Sequence, residues 1–149
     1  MTELSMGASF LPATFTNEEA DEFSVALPSR PARSRYDNVV AIRRSLQARR
    51  QRGQFFNMRL FSDPAWDMLL ELYVAALSQR KLTVSRLSER SLTPLTTTLR
   101  WIAALEAEGI AKREVNPLDR RQIFINLTNR AIVLMDSYFE EIPIETALL

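Results

Sequence analysis

The sequence predicts a mostly α-helical α+β domain, and three observations lead there. Four stretches repeat apolar residues at helical spacing, two later segments alternate apolar and polar residues, and the connection between those two is basic and rich in turn formers. At 149 residues, 46% of them hydrophobic, the chain can bury one sizeable core, and nothing in the pattern requires a second domain. Residues 1–33 read as an acidic, disordered N-terminal tail and residues 34–149 as a single domain with flanking helices.

In the tail, Pro12, Pro28 and Pro31 interrupt any helix. Phe10, Phe15 and Phe23 among acids would suit a partner-binding segment, although an unstructured tail or an arm packed on a dimer partner is the commoner outcome. The first helix is expected from Tyr36 to Arg52, with Asp37 or Ser34 as cap and Gly53 as stop. Val39, Ile42, Leu46 and Gln47 form its narrow stripe. Arg43, Arg44, Arg49, Arg50 and Arg52 cover the rest, so guanidinium groups should face solvent or phosphate. Phe55, Phe56, Met58, Leu60 and Phe61 follow as an apolar connector, expected as core or dimer contact.

Asp63 as cap and Pro64 at the first helical position open a core helix to about Gln79, in which Trp66, Leu69, Leu70, Tyr73, Val74 and Leu77 keep helical spacing. Arg80-Lys81-Leu82 is a turn or a very short strand. Thr83 caps a short helix to about Ser91, with Val84 and Leu87 inward and Ser85, Arg86 and Glu89 outward.

The stretch from Thr93 to Gly109 organises the remainder. Thr93 and Pro94 read as cap and first helical residue, Gly109 as the left-handed residue past the end, and Leu95, Thr98, Leu99, Ile102 and Leu105 as the inward stripe. Thr96, Thr97, Arg100 and Ala103 form a small, polar opposite face. Leu92 stands where the turn of a helix-turn-helix commonly carries Gly, which predicts a more open turn.

After Gly109 the period changes to two. Ile110 to Val115 and Gln122 to Leu127 alternate, and Asn116 to Arg121 between them has turn chemistry, which predicts a two-stranded hairpin with a basic tip. Thr128 caps a last helix to about Phe139, and Pro143 ends it. Ile132, Val133, Met135 and Phe139 cover more than one stripe of that helix, so a second burial surface such as a dimer partner is expected. The sum is a winged helix-turn-helix: a three-helix core, a two-stranded β-hairpin wing and flanking dimerisation helices.

Charge and composition narrow the function. The net charge of +1 hides a partition: residues 1–29 carry five acids and no Lys or Arg, residues 30–59 nine Arg against Asp37, and residues 80–130 ten Lys and Arg against five acids. Two basic blocks on such a fold suit a phosphate-facing side. Cys and His are both absent, which removes zinc sites, thiol nucleophiles and His-based triads. With three Gly there is no Gly-rich phosphate loop, so neither an enzyme nor a cofactor or metal is expected. No run approaches the roughly 18 apolar residues of a membrane span and no basic region opens a signal peptide, so a cytoplasmic setting without membrane contact is expected.

From Leu60 to about Phe139 the sequence resembles the winged-helix domain of the multiple-antibiotic-resistance regulator (MarR) family of bacterial transcription factors. Trp101-Ile102-Ala103-Ala104-Leu105-Glu106-Ala107-Glu108-Gly109-Ile110 is similar to that family's recognition-helix end and Leu-Glu-x-x-Gly turn. Asp119-Arg120-Arg121 matches its Asp-x-Arg wing, and Leu127-Thr128 its lead into the next helix. The resemblance implies a homodimeric transcriptional regulator on double-stranded DNA, with a small-molecule effector pocket between its dimerising and DNA-binding parts. By position it puts Arg121 in a minor groove, has Asp119 orient the wing through Arg113, and sends Thr96, Thr97 and Arg100 into the major groove.

Physical chemistry independently suits these roles. Arg can donate twice to guanine, Thr can bond base edges or touch a thymine methyl, and a narrow minor groove attracts Arg. Arg120, Arg113, Ser85 and Arg86 complete the expected DNA-facing set. The rival expectation is a winged helix used as a protein-protein interaction module without DNA binding, to which Arg113, Arg120 and Arg121 together would be of no use. A third is a regulator whose acidic tail controls access to DNA.

Overall fold

The structure, a computed structural model, describes residues 34–60 and 62–148. The expectations for the tail over residues 1–33, and for Phe61 in the connector, lie outside the described residues. Helix α1 (Arg35–Arg52) uses both candidate caps at once. The Asp37 backbone N–H donates to Ser34 Oγ at 3.2 Å and the Ser34 N–H donates to Asp37 Oδ2 at 3.2 Å, a capping box. Its buried stripe is Asn38, Ile42 and Leu46, while Gln47 is exposed.

Helix α2 (Pro64–Leu77) starts from the expected Asp63 cap but ends before Gln79. Gln79 has φ 53, and the helix closes on itself through Arg80 N–H to Ala75 O at 2.8 Å and Gln79 N–H to Ala76 O at 3.2 Å. A one-sided stripe was the expectation, yet Met68, Leu70, Glu71, Leu72, Tyr73, Val74 and Ala75 are all buried. The reason is position: α2 is the central post, packed against α1 and, among the later elements, against the next three helices and the middle strand of the sheet.

Those later elements are β1 (Leu82–Thr83), α3 (Val84–Arg90), α4 (Leu95–Ala107), β2 (Ala111–Val115), β3 (Ile123–Leu127), α5 (Asn129–Glu141) and α6 (Ile144–Ala147). The wing hairpin is not a two-stranded ribbon. β1 adds to it antiparallel, giving the order β1-β3-β2 with Leu82 opposite Ile125 and Arg113 opposite Ile125 on the other side. Two residues suffice because they satisfy the otherwise open edge of β3, and Leu82 is itself buried. Thr83 then serves twice, as a strand residue and as the cap of α3, its Oγ1 accepting from Arg86 N–H at 3.2 Å.

Aromatic contacts close the far side of α2. Tyr73 stacks on Phe139 with centroids 5.6 Å apart, and Trp66 meets Tyr138 edge-on at 5.3 Å. Tyr73 donates its hydroxyl to Asp136 at 2.6 Å, and Arg35 reaches the same carboxylate at 2.8 Å, joining α1 to α5. Burial and the Asp136 charge push the Tyr73 hydroxyl well above the usual tyrosine range, so it stays a donor. Pro143 does more than end α5, since it leads directly into α6.

Connector residues expected as core or dimer contact, and the second apolar side of α5, are not part of the core. Phe55, Phe56 and Leu60 of the connector and Val133 of α5 are exposed in the single chain.

Candidate nucleic-acid interface

The turn between α3 and α4 fixes the site, and it is closed, not open. Leu92 takes a left-handed backbone with φ 51, the place Gly would fill. Thr93 N–H donates to Ser88 O at 3.1 Å and Leu92 N–H to Glu89 O at 3.3 Å, the paired bonds of a tight helix end. Ser88 Oγ donates to Thr93 O at 2.6 Å and Ser91 Oγ to Leu87 O at 2.7 Å. The cost of a Cβ at that φ is roughly 1–2 kcal/mol, and these bonds hold it.

Thr93 is therefore not the cap. It is buried with its hydroxyl donating to Ser91 O at 3.2 Å, and the extended Pro94, ψ 145, is the last residue before the helix. Asp63-Pro64 opens α2 with the proline as first helical residue, but Thr93 is drawn into the preceding turn by its bonds to Ser88 O and Ser91 O, and α4 starts one place further on. Thr98, Ile102 and Leu105 anchor α4, and each buried aliphatic side chain of this kind contributes about 1.5–3 kcal/mol. Thr98 pays no polar penalty there because its hydroxyl donates to Pro94 O at 3.0 Å.

Leu95 and Leu99, expected inward, are exposed. At about 100° per residue they lie on a flank of α4 beside Glu106, not under it. Thr96, Arg100 and Ala103 occupy the side opposite the anchors and are exposed. Thr97 is half-buried on the other flank. At the C-terminal end Gly109 has φ 69, with Ile110 N–H to Leu105 O at 2.9 Å, as its sequence position predicts.

The wing approaches α4 from the Glu106 flank, where Arg113 of β2 forms an ion pair with Glu106. This corrects the expectation that Asp119 works through Arg113. Asp119 Oδ1 instead accepts from Arg121 N–H at 3.1 Å and from its Nε at 3.3 Å, so it shapes the wing tip locally. The separation along the hairpin explains the difference: Arg113 lies mid-strand and faces the helix, while Asp119 belongs to the turn. Arg120 and Arg121 are exposed, and Arg100 and Arg120 have no ion-pair partner among the described residues. Ser85 and Arg86 are exposed at the start of α3, where Arg86 lies 3.4 Å from Glu89. Next to Arg113 on β2, Glu114 pairs with Lys81 at 2.7 Å, which holds its carboxyl below the usual carboxylate range.

Behind the turn is a polar clamp that sequence reasoning missed. Glu71, 2% exposed, accepts from Arg50 of α1 at 3.0 Å and from Arg90 of α3 at 2.8 Å, and Arg50 also donates to Arg90 O at 2.6 Å. Arg49 pairs with Asp67. Burial nevertheless raises the Asp67 pKa, an effect larger than the attraction of Arg49. Two of the five α1 arginines expected to face outward are thus engaged by carboxylates of α2, Arg49 largely covered and Arg50 still partly in solvent. The signal was present: Glu71 stands three and four residues from Met68 and Ala75, inside an apolar surface. A cleft of about 290 Å³ opens beside the clamp, with Arg49, Arg59, Arg90, Asp67, Leu92 and Thr97 among its walls.

No helix among the described residues is long and apolar enough to cross a membrane. No protein-family model matches the chain, and no curated protein does. Solved structures similar to it include a mutant of Lactococcus lactis ZitR, at 15% identity and TM-score 0.42 over 48% of each chain, so that the match spans about half the length of that protein. The S. aureus MepR-DNA complex is similar at 20% identity and TM-score 0.48 over 72% of this chain and 77% of that one. Transcriptional regulator PA4135 is similar at 18% identity and TM-score 0.49 over 80% of this chain and 82% of that one.

Proposed function

We propose that this chain is a MarR-like, sequence-specific DNA-binding transcriptional regulator, working as a homodimer in a bacterial cytoplasm. In this reading α4 enters the major groove with Thr96, Thr97 and Arg100, and the wing carries Arg120 and Arg121 to an adjacent minor groove. Ser85 and Arg86 meet the phosphate backbone, and Arg113 sets the distance from wing to helix through Glu106. One observation carries it: the outward face of α4 is small, polar and cationic, and a two-arginine wing tip is held to the same helix. A protein groove would gain little from such a face, whereas a duplex offers guanine edges and phosphates to each of these groups.

The exposed Val133 of α5 and Tyr36 of α1 support a dimer built from the flanking helices, which would place two reading heads on two half-sites. The cleft beside the clamp supports an effector site of the kind the family resemblance implies. Leu118, 95% exposed at the wing tip, favours the rival reading, a protein-interaction module. Titration of a labelled random duplex at low salt decides between them. Binding that weakens steeply as salt rises supports DNA recognition. No binding at low salt gives the lead to the interaction module, and a pull-down then replaces the search for an operator.

A further inference from the structure

Leu92 and Leu95 gain little from their own chain. They are 58% and 50% exposed, at the turn and at the first residue of α4. Leu92 is the more telling of the two, because its left-handed backbone penalises any Cβ and its side chain, at the rim of the cleft, is more than half exposed. Gly would make the same turn without strain. The hydrogen bonds of the turn hold the strained backbone, and the exposed leucine side chain gains further only by contact with something outside the chain.

The surroundings say what that something is. Thr96 follows Leu95 directly and Arg100 comes one turn after it, with Arg86 exposed on the preceding helix. A protein partner favours a continuous apolar centre depleted of charge. Isolated apolar groups set among cations instead match the major groove of a duplex, where the C5 methyl of thymine is the apolar group on offer. Resting on the reading of α4 as the groove-entering helix, we propose that Leu92 and Leu95 are specificity-determining residues that pack on thymine methyl groups. The preferred site is then thymine-bearing where the first turn of α4 meets it.

The test uses the full chain and the duplexes it enriches from a random library, each made with thymine or, position by position, with deoxyuridine, which lacks only the methyl. At a contacted position the parent should bind the deoxyuridine form roughly four-fold more weakly, the effect of losing one buried methyl-sized group. Leu95→Ala and Leu92→Gly should each weaken binding to the thymine form by a similar factor and lose the response to methyl removal at one position. Both sites are exposed and Gly suits the turn, so circular dichroism should be unchanged. If the parent binds both forms equally, or if the variants respond to methyl removal as the parent does, the proposal is overturned and DNA binding stands. If no duplex is enriched and none is bound at low salt, the DNA reading itself fails and the proposal falls with it.

Discussion

Arginine does two different jobs in two regions of this molecule. Behind the helix-turn-helix, Arg50 and Arg90 converge on the buried Glu71 and tie α1, α2 and α3 together. On the outward side, Arg100 and Arg120 stand in solvent without an ion-pair partner among the described residues, and Arg121 bonds only its own turn. The first group is paired and partly desolvated, so its charge is spent on fixing the angle of the reading head. The second group is exposed, with Asp119 of its own turn as the partner of Arg121 and no carboxylate at Arg100 or Arg120 among the described residues, so its charge remains available to an anion. A count of basic residues along the chain merges the two; the carboxylate each one finds separates them.

The largest expected effect breaks the inner group. Glu71→Ala leaves two guanidinium groups facing a site without an anion, and because both arginines retain some solvent the loss should be about 2–3 kcal/mol, seen as a lower urea midpoint. Arg100→Ala should leave that midpoint within about 0.5 kcal/mol but cost roughly 1–3 kcal/mol in binding to a selected site and relax one base preference. If Glu71→Ala proves neutral in stability, or Arg100→Ala unfolds the chain, the division into strut and reader is wrong.

Smaller effects sharpen the same contrast. Leu92→Gly relieves the left-handed strain but adds freedom to the unfolded chain, so a net gain of up to about 1 kcal/mol is expected in thermal unfolding. Asp67 gives a pH signature of the buried side. Its pKa is raised in the folded protein, so folding binds a proton more readily than the unfolded chain does, and its contribution is a cost above the folded pKa that is relieved as pH falls through it. Relative to Asp67→Asn, the parent should therefore become more stable on acidification over that window. Glu114 runs the other way: its pKa is lowered by Lys81, so the stability it contributes is present above its unfolded pKa and is lost as pH falls through the folded one. Denaturant midpoints for the single variants across the acid range check both signs.

The main elements were legible because local chemistry decides them. Asp63-Pro64, Thr83, Gly109 and Thr128 mark helix ends by which backbone groups they can satisfy, and the change from period 3.6 to period 2 after Gly109 locates the wing. What failed was decided at longer range. Leu95 and Leu99 share the helical spacing of Ile102, and only the direction from which α2 and β2 approach determines which of them is covered. The family resemblance implied a link from Asp119 to Arg113, but a strand side chain facing a helix answers to that helix, here through Glu106. Arg49 and Arg50 were indistinguishable from Arg43 and Arg44 until Asp67 and Glu71 had positions. The outward placement of Thr96, Arg100 and Ala103 on α4 and of Arg120 and Arg121 on the hairpin was legible from spacing, whereas the tie of the wing to α4 through Glu106 needed the fold.

The most direct test of the two-group account is the salt dependence of binding to a labelled random duplex, measured by fluorescence anisotropy for the parent and for an Arg120→Ala, Arg121→Ala double variant. The account predicts unchanged stability in the variant and a log-log salt slope reduced by up to about two, one for each lost phosphate contact. An identical slope in the two proteins, or a parent that binds no duplex at low salt, would contradict it.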